Sequence, residues 1–398
     1  MADWGQGDAR GYRLQSIDLV RGIAIVIMAL DHTRDFYSNA RIDIFDPSQT
    51  TLALFLTRWV THICAPTFVF LAGVSAGLMA GRKSTGELAA FLCKRGLWLI
   101  GVELMIISFA WSFADLGRPD LGGGMAFIMQ VIWAIGASMV VLSALVWLPA
   151  RLLLPLGIII IAGHNLLDGI WPASTFPATP QPLWHALLSQ SLAVYGSVTF
   201  WFVYPLLPWI GVMVAGFGAA RLFALPEAER KNILARTGCA MIALFLLLRG
   251  FNEYGEPRAW DAVMGWQTAI ISYLNTSKYP PSLQYVLMTL GPAFLLLAFA
   301  ERWRGWLGNG LVMFGRVPFL FYVAHLYLLH AGAVLLGTLQ GYSPAQFVTA
   351  FFQFPDGYGL GLPGVYAMWI LVTAILYFPC AWFAGVKRQR RDWWLSYL

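Results

Sequence analysis

Residues 16–32 read SIDLVRGIAIVIMALDH, an apolar run with Asp18, Arg21, Asp31 and His32 set into it. A helix that crosses the hydrocarbon needs about 20 mostly apolar residues, and this run supplies the start of one. An ionisable side chain inside such a span costs roughly 3 kcal/mol unless it is paired or hydrated, so each one asks for a reason. At helical spacing Asp18, Arg21, Ile25, Met28 and His32 fall on one face. Arg21 and His32 are 11 residues apart, close to three turns or about 16 Å along the axis. One polar stripe therefore climbs the first span, and MALDHTRDF, residues 28–36, ends it with Arg34 and Asp35. Asp31 points about 100° round the helix from His32. It is expected to pair with Arg34 or Arg58, or to polarise His62 or His325 on a facing helix.

The rest of the chain repeats the pattern. Hydrophobic residues make up 59%, aromatics 15% and charged residues 12%, against about 25% charged in a soluble domain. The expected fold is an all-α integral membrane protein of about ten transmembrane helices, near 16–37, 51–80, 88–112, 125–147, 150–169, 198–221, 232–251, 282–301, 311–336 and 362–386. The net charge of +6 needs no nucleic acid, because the Lys and Arg residues fall in the connections. With the N-terminus inside, Arg82, Lys83, Lys94, Arg95, Arg230, Lys231 and the KRQRR run at 387–391 lie on the cytoplasmic side. Arg34, Arg41, Arg118, Arg258 and Lys278 lie outside, so both termini are expected in the cytoplasm. No repeat or polar linker divides the chain, which reads as one transmembrane domain, 1–398, with a cytoplasmic leader 1–15 and tail 387–398. The leader is polar, so the first span is expected to be its own insertion signal. Cys64, Cys93, Cys239 and Cys380 lie in or at the edge of apolar segments without CxxC spacing, which indicates neither a disulfide framework nor a metal site.

Other polar groups collect at the depth of His32. RWVTHICAP, residues 58–66, brings His62 about 15 Å in from the outside. GRVPFLFYVAHLYLLH, residues 315–330, sets Arg316 near the inner face, His325 above it and His330 nearer the outer rim. Glu103 and Gln130 fall in the same outer half. Ionisable groups at a common depth mark a substrate pathway or a proton relay. A proton-coupled transporter or flippase would use the same His and Asp residues, but no repeat relates the two halves, as it often does in such carriers.

These stretches, together with RGLWLIGVELMIISF, QVIWAIGASMV, YPLLPWIGVM and LNTSKYPPSLQYVLMTLGPA, resemble the bacterial membrane proteins grouped with the heparan-alpha-glucosaminide N-acetyltransferase catalytic domain. The resemblance runs from about Arg13 to the last span. The first span also resembles the acyltransferase-3 group, in which an arginine and a histidine are separated as Arg21 and His32 are. The resemblance implies a transmembrane acyltransferase of the bacterial cytoplasmic membrane. It would take acetyl-CoA or another acyl-CoA from the cytoplasm and pass the acyl group to an extracytoplasmic glycan or other polar acceptor. His32, assisted by Asp31, is the leading base or acyl carrier, with His62 and His325 as further catalytic candidates. Arg21, Arg95 and Arg316 are placed to hold CoA phosphates, a role that suits guanidinium forks and competes with simple positive-inside anchoring. Glu103, Gln130, Lys278 and Tyr279 are placed to meet the acceptor. One departure is plain: the lysosomal enzyme's histidine between its first two spans has no counterpart, because residues 38–51 contain no histidine. No metal is expected, and the oligomeric state stays open.

Overall fold

Local sequence sets the helix ends. Ser84 and Glu87 close a capping box over the helix that follows: the Glu87 backbone N–H donates to Ser84 Oγ (3.3 Å), and the Ser84 N–H donates to the Glu87 carboxylate (2.8 Å). Ser282 caps another by accepting from the Tyr285 N–H at 3.0 Å. The helices are α1 (Gln15–Tyr37), α2 (Leu52–Val60), α3 (Cys64–Ala80), α4 (Thr85–Val102), α5 (Ser108–Ser112), α6 (Val131–Leu145) and α7 (Ala150–Gly163). They continue with α8 (Leu206–Gly218), α9 (Glu227–Phe251), α10 (Trp266–Leu274), α11 (Leu283–Phe299), α12 (Trp306–Arg316), α13 (Pro318–Leu339) and α14 (Leu362–Gln389). The computed structural model describes residues 15–114, 117–118, 124–171, 182–261, 265–303, 305–348, 354–390, 392 and 395. Residues 1–14 of the expected leader and most of the tail beyond 390 lie outside the described residues, as do parts of the long connections.

Six helical stretches among the described residues are long and apolar enough to cross a bilayer: Leu52–Ala80, Ala150–Leu167, Leu206–Ala224, Glu227–Phe251, Pro318–Leu339 and Leu362–Gln389. α6 and α11 are apolar but shorter. Ile158 and Ile159 on α7, Leu246 and Leu247 on α9, and Ile370 and Phe378 on α14 are exposed. Apolar side chains turned outward along several helices suit lipid as their solvent, and the chain is an integral membrane protein.

The structure corrects the expectation in three places. It is mostly helical, yet it holds a four-stranded sheet in the order β1 (Gly117–Arg118), β2 (Gly124–Met129), β4 (Val198–Phe202), β3 (Ser191–Tyr195). The spans expected at 125–147 and 198–221 therefore begin as strands β2 and β4, which pair in parallel from Met125↔Val198 to Met129↔Phe202. β3 and β4 form a hairpin closed by Gly196 and Ser197, with Gly196 at φ 61°, the backbone that a two-residue turn demands. Third, the span expected at 311–336 is broken into α12 and α13 at Val317, because Pro318 has no N–H to continue the ladder and opens the next helix instead.

α12 lies against α1 through bare backbone. A Cβ on Gly315 would meet the Asp18 carbonyl at 1.7 Å, and one on Gly22 would meet that of Leu311 at 1.8 Å. Close approach through small residues is how membrane helices gain packing when lipid supplies no hydrophobic drive. Gly315→Val is therefore expected to separate the pair and cost about 2 kcal/mol or more, read as a lower unfolding temperature and less monodisperse protein in detergent. Gly250→Ala, which meets nothing within 4 Å, serves as the neutral control.

Candidate functional site

Two cavities approach each other along α1. The first, of about 330 Å³, is lined by Asp31, His32, Arg34, Asp35, Arg58, Trp111, Gln130, Tyr204, Lys278 and Tyr279, with residues 42–45 and the β4 residue Trp201. The second, of about 340 Å³, has a largely apolar wall that includes Ile25, Met28, Leu99, Val131 and Tyr322. Arg21, Arg95, Arg316 and Lys387 are its cations. The cavities are neighbours: His32 in one is a turn above Met28 in the other, and Gln130 in one precedes Val131 in the other.

His32 stands at the junction. Its Nδ1 lies 2.6 Å from His325 Nε2, with the rings 15° from parallel. His325 Nδ1 lies 3.0 Å from the carbonyl of Phe321, one turn back on α13. A carbonyl only accepts, so His325 Nδ1 carries hydrogen. In a neutral His325, Nε2 is then the acceptor, and His32 Nδ1–H donates to it. This assignment leaves His32 Nε2 with its lone pair and without a protein partner among the described residues. Trp111 meets the His32 ring edge-on at 4.9 Å, and Tyr322 packs against both imidazoles at 6.3 and 5.5 Å. The Tyr322 hydroxyl is buried with no hydrogen-bond partner among the described residues.

Asp31 resolves its open alternatives by pairing with both arginines: Arg58 Nη1 donates to Oδ2 at 2.6 Å and Arg34 Nη2 to Oδ1 at 3.1 Å. Arg34 also donates to Asp35, and Arg58 donates to Thr61 Oγ1 at 3.0 Å. Asp31 thus holds α2 to α1 instead of polarising a histidine. Behind the cations of the other cavity, buried Asp18 lies 3.6 Å from both Arg21 and Arg316, and Arg21 also donates to Ser75.

Of the residues singled out in sequence, the structure brings together Asp31, His32, Gln130, Lys278 and Tyr279 around one cavity, with His325 bonded to His32 but in neither lining, and Arg21, Arg95 and Arg316 around the other. His62 stands apart from both linings. It is buried between Phe45 and Tyr285, with neither ring nitrogen bonded among the described residues. Glu103 is also elsewhere: its carboxylate accepts from the N–H groups of Gln130 (3.1 Å) and Trp133 (2.9 Å), and so caps the start of α6. Both nitrogens of His330 are held by backbone carbonyls, those of Ala110 and Phe347, each at 2.8 Å. Sequence reading did not single out Trp111, Tyr322 or Lys387. Nothing marked the two aromatics among so many, and Lys387 was counted with a tail although α14 carries it to the cavity.

Lys278 and Tyr279 sit on a turn pinned from beneath. Glu256 accepts from the Ser277 N–H (2.8 Å) and the Ser282 hydroxyl (2.7 Å), and burial pushes its carboxyl up from the usual range in spite of both donors. Arg249 is buried and donates to the carbonyls of Tyr273, Arg258 and Ser272 at 2.7–2.8 Å.

The sequence model of the family described as heparan-alpha-glucosaminide N-acetyltransferase, catalytic, matches residues 13–250. A comparison with curated proteins finds no match.

Arg249→Ala would leave several partly buried carbonyls without a donor, a loss of about 1–3 kcal/mol. The expected result is a lower unfolding temperature and faster proteolysis within 252–281, with Arg249→Lys only partly restoring both.

Proposed function

The chain belongs to the heparan-alpha-glucosaminide N-acetyltransferase catalytic family, and we propose on that basis that it carries an acyl group, acetyl in the simplest case, from acyl-CoA to a polar acceptor such as a glycan across the bilayer. Family membership implies acetyl transfer in general terms. The donor, the acceptor and the side each enters are parts of this reading. Acyl-CoA occupies the cavity of Arg21, Arg95, Arg316 and Lys387, with its phosphates on the cations and its pantetheine arm along the apolar wall. The acceptor enters the cavity of Asp31, Gln130, Lys278 and Tyr279. Orientation follows the positive-inside bias: about ten crossings, both termini in the cytoplasm, the cationic cavity facing the cytoplasm of a bacterial inner membrane.

The chemistry then falls to the histidine pair. His32 Nε2 takes the proton from the acceptor hydroxyl or amine as that atom attacks the thioester carbonyl. His325 fixes the tautomer of His32 through Nδ1, as its own Nδ1–H is fixed by Phe321. The Tyr322 hydroxyl supplies a donor to the developing oxyanion. As the tetrahedral intermediate collapses the C–S bond breaks, and the CoA sulfur takes the proton held on His32. The products are the acylated acceptor and free CoA. The observation that carries this reading is the His32–His325 bond at the meeting of a cationic and a polar cavity.

Purified protein with acetyl-CoA and a polar acceptor sugar tests it, with binding of acetyl-CoA and acceptor-dependent release of CoA followed together. His32→Ala is expected to keep binding and to lose release by about 100-fold or more, the usual scale of a general base. His325→Gln, whose amide oxygen can still accept from His32, should fall less than His325→Ala. Full turnover in His32→Ala would make that residue structural. Arg316→Ala combined with Arg95→Ala should weaken acetyl-CoA binding at least tenfold, roughly 1.4 kcal/mol, with a smaller effect at high salt. Unchanged binding in that pair, or no saturable binding in the wild type, would remove the cationic cavity from the donor path.

A further inference from the structure

Apart from the two cavities along α1, a third of about 220 Å³ opens where several helices end. Its lining draws on the end of α3 at Ala80, the start of α4 at Thr85, the start of α7 at Ala150 and the end of α8 at Gly218. Helix ends gathered in this way mark the boundary between hydrocarbon and water. Leu88, Leu153 and Phe217 give the cavity buried apolar walls. Its charged residues are Lys83 and Arg221, and no carboxylate belongs to the lining among the described residues.

The surroundings sharpen that positive charge. Thr85 and Ala150 open α4 and α7, where first-turn N–H groups have no carbonyl a turn earlier and the helix dipole is positive. Negative side chains suit such ends. Here Lys83 stands two residues before Thr85, Arg151 follows Ala150, and Arg221 lines the same space. Glu87, the carboxylate in the first turn of α4, is turned back onto Ser84, accepting from its N–H at 2.8 Å and its hydroxyl at 2.9 Å. The Lys83 ammonium lies 5.8 Å over the Phe91 ring, a contact that directs none of its N–H donors. Cations collected on two positive helix ends repel one another, and an anion among them removes that cost.

The choice of anion follows from what adjoins the cavity. Leu148 belongs to the lining and is exposed, as are its neighbours Trp147, at 65%, and Leu152. A Cβ on Gly86 would come within 4.0 Å of the Trp147 ring, so the indole stands beside the start of α4. Exposed tryptophan at a helix end is an interfacial anchor. A soluble phosphate would use the cations alone, whereas a phospholipid uses the cations and the apolar strip together.

We propose that this cavity binds the headgroup of an anionic phospholipid, with its phosphate on Lys83 and Arg221 and its acyl chains along Trp147, Leu148 and Leu152.

The test uses the full-length protein in uncharged detergent, with phosphatidylglycerol and phosphatidylcholine of the same acyl chains, and bound lipid counted by native mass spectrometry. Phosphatidylglycerol is expected to bind about tenfold more tightly than phosphatidylcholine. Lys83→Gln combined with Arg221→Gln should abolish that preference. Arg236→Gln combined with Arg388→Gln removes the same charge from exposed positions outside the cavity and should preserve it. Ala80→Leu, which fills the cavity and leaves its charges, should weaken phosphatidylglycerol as the first pair does. An unchanged unfolding temperature in lipid-free detergent shows that each variant is folded, and the two charge pairs decide the matter if Ala80→Leu is not. Equal binding of the two lipids, or equal loss in both charge pairs, makes the attraction a diffuse surface field and overturns the site. Inorganic phosphate that binds as tightly as phosphatidylglycerol, and through Lys83 and Arg221, overturns the lipid as occupant. Competition between acetyl-CoA and phosphatidylglycerol for those two residues assigns the cavity to the acyl donor and overturns the proposal.

Discussion

A carboxylate near the end of a membrane helix must be paired, and Asp31 meets that constraint with two guanidinium groups at once. Removing one partner of such a buried pair costs roughly 3–5 kcal/mol, because the remaining charge is then stranded in a poor solvent. The array also does geometric work. Arg58 belongs to α2 and Asp31 to α1, so their bond sets the height of α2 against α1 and closes one wall of the cavity that His32 lines. Residue 32 follows residue 31, and once Asp31 is held, the imidazole is turned toward α13 and His325.

The break at Val317 completes that placement. Arg316 ends α12 beside Asp18 in the cationic cavity, while His325, nine residues on or about 13 Å up α13, meets His32. A continuous helix through 311–336 would have carried α12 away from α1. The kink lets one segment pack its glycines on α1, leave a guanidinium at the lower cavity and return a histidine to the junction. The sheet does similar service at the other cavity. β2 and β4 run straight into Gln130 and Val203, and so place cavity-lining residues where a helix would have spread them round a cylinder.

How much of this was legible follows from what each signal depends on. Apolar length alone finds Ala150–Leu167, Glu227–Phe251 and Leu362–Gln389, because lipid asks little else of a helix. The spacing of Arg21 and His32 reads correctly as one face, and the charges near Asp31 name its partners. The strands were hidden because VTFWF is apolar at all positions but Thr199, so a hydropathy window merges it with α8; the Gly196–Ser197 turn between aromatic and β-branched runs was the available clue. The partnership of His32 with His325 spans 293 residues, and no local pattern carries it. Glu103 misleads for a related reason. A carboxylate in an apolar run reads as chemistry, but its partners are backbone N–H groups of α6, which no side-chain pattern reveals.

The two cavities differ in the way that acyl transfer between unlike molecules requires. An acyl-CoA is a long, mostly uncharged arm ending in phosphates, and the lower cavity offers an apolar wall with its cations together. A glycan is polar throughout, and the upper cavity is dense in hydrogen-bonding and aromatic groups. Were the two a single water-filled channel, the thioester would face solvent and be lost to hydrolysis. Trp111 and Tyr322 pack around the stacked imidazoles where the two linings meet, and His32 Nε2 keeps its lone pair there. On the proposed reading, the side chains at the meeting of the two cavities are the ones that would pass a group from one to the other.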